Sequence, residues 1–105
     1  MNNLLIYISG PMTGLPDYNY PAFNDAAEYI KSLGHNPINP ARQPAGLSYD
    51  QYMDYAILDV CCADLVVLLP GFADSKGCKV EVKEAFKNNT SVILLSALGD
   101  YLDLA

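Results

Sequence analysis

Residues 63–85, A-D-L-V-V-L-L-P-G-F-A-D-S-K-G-C-K-V-E-V-K-E-A, contain a buried strand followed by the start of a helix. The run 65–69 has no polar residue, which is typical of a strand covered on both faces in a parallel sheet. Pro70 and Gly71 end the strand, and Asp74 and Ser75 are good N-caps for the next helix. Ligands of open α/β sheets bind just beyond such strand ends. The stretch therefore predicts a ligand site at the start of this helix.

Three residues of the predicted helix could act together on one ligand. Ser75 lies where unpaired N–H groups attract anions, and Gly77 lets a ligand approach the backbone closely. Glu81 lies one turn beyond Gly77 on the same helix face. The pattern favours an anion site with a carboxylate several ångströms away. The alternative is a plain N-cap at Ser75 and a solvated charge at Glu81 beside Lys79 and Lys83, because S-x-G-x-x-x-E alone is a weak signal.

Length and charge limit the classes of partner. The 105 residues predict one domain spanning 1–105, and twelve acidic against six basic residues give a net charge of −6. Without a Lys/Arg cluster, a nucleic-acid polymer is not expected as a partner, whereas one helix N-terminus could still bind one phosphate. No apolar run approaches membrane-spanning length and no basic leader precedes the first strand, so we expect a cytoplasmic protein without a membrane partner.

Metal and cofactor motifs are not found in the sequence. The three cysteines form no C-x-x-C pair and there is one histidine, so we expect buried thiols at Cys61, Cys62 and Cys78 and no metal site. The loop G-P-M-T-G at 10–14 lacks the G-x-G-x-x-G pattern, and no G-K-[ST] occurs. We therefore expect neither a nicotinamide cofactor nor ATP-dependent phosphoryl transfer, and no other cofactor.

Strands and helices alternate along the whole chain. Strands are predicted at 4–9, 36–39, 64–69 and 91–95, and helices at 21–34, 48–62 and 76–87, with a helical turn at the end. Ser48 and Gln51 form a capping-box pattern at the start of the second helix. This order predicts a three-layer α/β fold of the flavodoxin or Rossmann type, with a parallel sheet of four to five strands flanked by helices. The first and third strands should be central neighbours, so the loop after Ser9 should face Ser75.

Three motifs carry a resemblance to a known family. They are I-Y-I-S-G-P at 6–11, A-D-L-V-V at 63–67 and S-K-G-C-K-V-E at 75–81. With these motifs the chain resembles the nucleoside 2-deoxyribosyltransferase superfamily, which includes deoxynucleoside 5′-monophosphate N-glycosidases, over nearly its full length. It looks most like small, often phage- or prophage-encoded members of uncharacterised function. With these it shares Y-I-S-G-P-M-T-G at 7–14, N-Y-P-A-F-N at 19–24 and L-P-G-F-A-D-S-K-G-C-K-V-E at 69–81.

The resemblance implies the roles of several residues. Glu81 would be the nucleophile that attacks the anomeric carbon of a 2-deoxyribosyl group and displaces the base, and Tyr7 would orient its carboxylate. Where the resembling transferases carry an acidic residue for a free 5′-hydroxyl, Ser75 would donate to a 5′-phosphate, with Gly77 beside it. The other residues assigned to substrate binding are Ser9, Gly10, Pro11 and Met12, of which Gly10 and Met12 would line the base pocket.

One departure from the family pattern bears on catalysis. Active members of the family share an aspartate that transfers the proton involved in departure of the base. The matching position in this chain is Ala56. Asp59, as a catalytic acid, or Asp54, within the substrate site, would have to replace it. Base departure without a proton donor is slower by roughly 10² to 10⁴. Three hypotheses therefore stay open: an N-glycosidase or deoxyribosyltransferase, a nucleotide-binding protein without turnover, and a structural module that keeps only the fold.

The expected partners are a small nucleoside or nucleotide and further copies of the chain. The resembling enzymes are dimers or larger and complete each pocket with residues of a neighbour, which implies a homodimer or higher homo-oligomer. Five tyrosines could supply an interface or could pack on the domain's own surface: Tyr18, Tyr20, Tyr49, Tyr52 and Tyr55.

Overall fold

The computed structural model describes residues 3–43 and 46–104, and the predicted elements are found in the predicted order. The strands are β1 (Leu5–Ser9), β2 (Asn36–Ile38), β3 (Leu65–Leu68) and β4 (Ser91–Leu94). The helices are α1 (Tyr20–Ser32), α2 (Tyr49–Cys62), α3 (Lys76–Lys87) and α4 (Leu98–Leu104). Short 3₁₀ turns lie between several of these elements.

All four strands run parallel in one sheet, in the order β2-β1-β3-β4. This confirms the predicted fold class, and it confirms β1 and β3 as central neighbours. Tyr7 in β1 pairs with Val66 in β3 on one side and with Ile38 in β2 on the other. The loops after β1 and β3 consequently leave the same edge of the sheet side by side.

Helices cover both faces of the sheet, so the fold has three layers. On one face Ile6 and Ile8 pack with α1 and α4. On the other face Tyr7 packs with α2 and α3 through Val60 and Ala85. Because side chains alternate along a strand, successive residues of β1 enter these two cores in turn. The core facing α2 and α3 therefore receives Tyr7 and Ser9.

Helix caps fix where the two helices nearest the site begin. Ser48 and Gln51 form the predicted capping box of α2, with the Ser48 hydroxyl accepting from Gln51 N at 3.2 Å. Ser75 is the N-cap of α3, and its Oγ accepts from Cys78 N at 3.1 Å. Each cap satisfies an N–H group that has no partner within the helix. The start of α3 is thereby held just beyond the end of β3.

Two cysteines differ from expectation. Cys78 is buried, as expected, but Cys61 and Cys62 are exposed. The buried residues of α2 are Ala56 and Val60, whereas Cys61 and Cys62, in the last turn of the helix, lie outside the core. The expectation of a buried thiol was therefore wrong at these two positions. No helix of the described residues is long and apolar enough to cross a membrane.

Candidate active site

Glu81 is a buried acid held by two hydroxyl groups from β1. Its side chain is 8 % exposed. The Tyr7 hydroxyl donates to Oε2 at 2.5 Å, and the Ser9 hydroxyl donates to Oε1 at 2.6 Å. Tyr7 and Ser9 are two residues apart on a strand and therefore point to the same face. The carboxylate thus has one donor on each oxygen, both fixed by the central sheet.

Burial governs the ionisation of this group. Desolvation raises the pKa of Glu81 to about 7, although the hydrogen bonds from Ser9 and Tyr7 oppose this and the nearby charge of Asp59 adds to it. Burial and the Glu81 charge raise the pKa of Tyr7 well above its ordinary value. Tyr7 therefore remains a proton donor in the hydrogen bond at neutral pH. Glu81 is poised between its neutral and charged forms, as is typical of functional carboxyl groups.

A cavity of about 560 Å³ opens onto Glu81 at the carboxyl edge of the sheet. This volume lies within the range of pockets that enclose small ligands. Gly10 and Met12 from the loop after β1 form part of its wall, as do Ser75 and Gly77 from the start of α3. The structure therefore brings the two predicted motif regions together around one space.

Aromatic rings form much of the remaining wall. Tyr18 lies on the turn before α1 and Tyr20 is the first residue of that helix, and their ring centroids are 5.9 Å apart. Tyr49 and Tyr52 arrive on the first turn of α2, and the Tyr52 hydroxyl donates to Pro40 O at 3.5 Å. Burial and Tyr20 raise the pKa of Tyr52 to about 12, so it stays neutral. Four of the five tyrosines considered for an interface thus line the cavity.

The turn that precedes α1 and carries Tyr18 has an unusual backbone. Asp17, Tyr18 and Asn19 have φ values of 52°, 50° and 62°, in the left-handed region that residues other than glycine seldom adopt. The Asn19 side chain donates to Pro11 O at 2.9 Å and ties this turn to the loop after β1. The turn positions Tyr18 and Tyr20 on the cavity side of α1.

The start of α3 offers donors at one end of the cavity. Ser75 Oγ accepts from Cys78 N, which leaves the hydroxyl proton available to a ligand. A Cβ at Gly77 would lie 3.6 Å from Met53 Sδ, an ordinary van der Waals contact, and glycine leaves the backbone uncovered at this point of the cavity wall. Ser75 and Gly77 are shared with an adjoining cavity of about 460 Å³, whose wall also contains Pro11 and Lys76.

The acids proposed to replace Ala56 lie outside the wall. Ala56 lines the cavity, whereas Asp54 is exposed. Asp59 is half-buried, and its Oδ2 accepts from Gln43 Nε2 at 3.0 Å. Burial raises the pKa of Asp59, and the Gln43 hydrogen bond lowers it. Among the described residues, Glu81 is therefore the one carboxyl group in the cavity wall. No group of three or more metal-binding side chains is present among them.

Sequence reasoning missed Gln43, which lines the cavity from the loop after β2. It belongs to no motif, and the strand before it has only three residues. A usable signal was its place after a parallel strand, because the carboxyl ends of all such strands meet at one edge.

Fold and site together define a small three-layer α/β domain with a buried, hydroxyl-held carboxylate at the carboxyl edge of its sheet. The chain belongs to the family described as Domain of unknown function (DUF4406), which matches residues 4–94. This span contains all four strands and every residue named in the cavity wall. No curated protein matches the sequence significantly.

Proposed function

We propose that the protein binds a deoxynucleoside 5′-monophosphate and cleaves its N-glycosidic bond, with Glu81 as the nucleophile. The proposal follows the resemblance to the nucleoside 2-deoxyribosyltransferase superfamily. The observation that carries it is the Glu81 carboxyl group, held by Tyr7 and Ser9 in the wall of a cavity of about 560 Å³. A carboxylate so placed can attack an anomeric carbon and stabilise the charge that develops there.

The start of α3 orients the nucleotide. A 5′-phosphate at Ser75 and Gly77 would meet backbone N–H groups, the Ser75 hydroxyl and the positive end of the helix dipole. Along a helix, Glu81 lies about 9 Å beyond Ser75 at 1.5 Å per residue. Side-chain reach brings the carboxylate toward the sugar of a nucleotide anchored in this way. The base then extends toward the tyrosine rings, which suit a flat aromatic ligand.

The proposed reaction has two steps. The ionised carboxylate of Glu81 forms a bond to the anomeric carbon, the bond from that carbon to the base nitrogen breaks, and the base leaves with the electron pair and takes up a proton. Water then attacks the same carbon, releases the carboxylate and yields the sugar phosphate and a proton. In transfer, a second base replaces the water. Tyr7 and Ser9 keep the carboxylate in place through both steps.

A second function, binding without turnover, is favoured by one feature of the wall. Ala56 occupies the place where the resembling enzymes carry a proton donor, and Asp54 and Asp59 lie outside the wall. The first step would then lack an acid for the departing base. Such a protein would hold or sequester the nucleotide.

Free-base release from four deoxynucleoside monophosphates distinguishes the two functions. The protein is incubated at high concentration with each nucleotide, and base is separated chromatographically, while binding is followed by calorimetry. The variants are Glu81→Gln and, as a matched control, Glu28→Gln, whose carboxylate is exposed on α1. Release by the wild type and the control but not by Glu81→Gln supports cleavage. Binding without release in all three supports the second function, and neither binding nor release overturns both.

We also propose that the protein forms a homo-oligomer, as the resemblance implies. Tyr55 is 44 % exposed on the outer face of α2 and Leu58 is 64 % exposed. Light scattering tests this directly, and a monomer at working concentration would contradict it.

A further inference from the structure

Three strand ends set a linear order of groups along the cavity. Ser75 follows β3, the Tyr7 and Ser9 hydroxyls on Glu81 belong to β1, and Gln43 follows β2. Since β1 lies between β2 and β3, Glu81 is held at the middle of this order. Neighbouring strands are about 4.8 Å apart, so the ends of β2 and β3 are separated by about 10 Å. A nucleotide with its phosphate at Ser75 and its sugar at Glu81 therefore directs its base toward Gln43.

The hydrogen bond to Asp59 fixes the orientation of the Gln43 amide. Gln43 Nε2 donates to Asp59 Oδ2 at 3.0 Å. An ionised carboxylate only accepts hydrogen bonds, so it holds the NH₂ group of the amide and not its carbonyl. The bond uses one of the two N–H groups of the amide and draws its nitrogen toward Asp59, which does not line the cavity. We therefore expect the carbonyl end of the Gln43 amide to meet a ligand there.

We infer that Asp59, acting through Gln43, makes the cavity select bases that carry an amino group at the edge remote from the sugar. This rests on the proposed binding of a nucleotide. Adenine and cytosine present an amino donor at that position, whereas hypoxanthine and uracil present a carbonyl acceptor. The Gln43 oxygen accepts from an amino group and opposes a second carbonyl oxygen. Gln43 contacts the base in this scheme, and Asp59 is a positioning residue.

Two matched nucleotide pairs test the selection. Deoxyadenosine and deoxyinosine monophosphates differ in the amino or carbonyl group at the remote edge, as do deoxycytidine and deoxyuridine monophosphates. Dissociation constants are measured by calorimetry with the wild-type chain, and with Glu81→Gln for any nucleotide that is cleaved. We expect the amino member of each pair to bind about tenfold more tightly, as one well-placed hydrogen bond allows.

Substitutions at the two residues separate selection from folding. In Asp59→Asn the new amide can donate to the Gln43 carbonyl and turn the Gln43 NH₂ toward the ligand, so the tenfold ratio should fall to about threefold or less. Gln43→Met should bring the two dissociation constants of each pair to equality. This test does not depend on whether Asp59→Asn folds. Asp25→Asn, which neutralises an exposed acid on α1, should keep it.

The outcomes distinguish this inference from the proposed function. Equal affinities within both pairs overturn the inference and leave nucleotide binding intact. A full tenfold ratio in folded Asp59→Asn or in Gln43→Met also overturns it. If none of the four nucleotides binds the wild type, the inference is overturned, and the proposed function is overturned with it when the deoxyguanosine and thymidine monophosphates also fail to bind.

Discussion

Tyr7 and Glu81 are 74 positions apart in sequence and are joined by a 2.5 Å hydrogen bond from the phenol to the carboxylate. The bond ties the central strand β1 to helix α3 inside the core. It also connects two groups whose pKa values are both raised by burial. The stability of this region and the charge of the proposed nucleophile therefore depend on the same contact.

Removing the phenol should make Glu81 harder to ionise. Tyr7→Phe deletes a donor that stabilises the charged carboxylate, so the pKa of Glu81 should rise further above its value of about 7. Base release at pH 7 should fall about tenfold or more, with the pH profile displaced upward. Tyr29→Phe, at an exposed tyrosine on α1, is the matched control and should leave the profile unchanged. An unchanged profile in Tyr7→Phe would contradict the positioning role.

Buried Glu81 should destabilise the folded state as pH rises. Its pKa is raised from 4.5 to about 7 on folding, so between these values the folded state binds more protons than the unfolded state. The free energy of unfolding therefore decreases with pH across this window, by roughly 1–3 kcal/mol from this group. Urea titrations of wild type and Glu81→Gln at pH 4.5 and pH 8 measure it. The variant should gain stability relative to the wild type at the higher pH, and a difference independent of pH would refute the assignment.

Two substitutions distinguish the helix-capping role of Ser75 from its proposed role in phosphate binding. Ser75→Ala removes the acceptor for Cys78 N and should cost about 1 kcal/mol of stability. Ser75→Asp keeps an N-cap acceptor and should preserve stability, but its charge repels a phosphate. We expect Ser75→Asp to bind deoxynucleosides at least as well as the corresponding monophosphates, reversing the wild-type order. If it still prefers the monophosphate, the phosphate does not lie at this helix start.

The fold was predictable because each element carried a local signal. The apolar run ending at Leu69, the cap at Ser75 and the capping box at Ser48 and Gln51 each determine structure over a few residues, and the structure has each of them. Alternation of strands and helices then limits the connections to a parallel sheet. Residues adjacent to strand ends, such as Gly10 and Ser75, could be placed at the cavity for the same reason.

Contacts between distant segments were not predictable from local signals. Nothing in the sequence around Gln43 indicates that its amide reaches Asp59, because that contact depends on how the loop after β2 packs on α2. The hydrogen bond from the Ser9 hydroxyl to Glu81 was likewise not predicted. The positions of Tyr18 and Tyr20 in the cavity wall depend on a left-handed turn at Tyr18, which few sequence rules anticipate.

Two glycines near the site should respond differently to alanine. At Gly10 a Cβ would meet Leu69 Cδ1 at 2.7 Å, so Gly10→Ala should lose about 1–3 kcal/mol of stability through overpacking. At Gly77 the nearest atom is Met53 Sδ at 3.6 Å, and alanine favours helices, so Gly77→Ala should be as stable as wild type or more so. Its added methyl group narrows the approach to the helix start and should weaken monophosphate binding about tenfold. Thermal melts with and without nucleotide measure both effects, and unaltered binding in Gly77→Ala would contradict the proposed phosphate position.

Restoring an acid at position 56 tests whether proton supply limits cleavage. Ala56 is 6 % exposed and lines the cavity, so a carboxyl group there would face the departing base. Ala56→Asp should raise base release by 10² or more if the wild type lacks only this group. The same acid adds negative charge near Glu81, so the pH optimum should move upward.

Ala56→Asn is the matched control, because it has nearly the same shape and cannot act as a strong acid. Rates are measured by chromatography of released base at saturating deoxynucleotide, after thermal melts establish that both variants fold. Release by Ala56→Asp but not by Ala56→Asn would show that the wild-type cavity is a complete glycosidase site apart from one proton donor. Equal rates in the two folded variants would refute this, and binding without turnover would then be the function that the cavity supports.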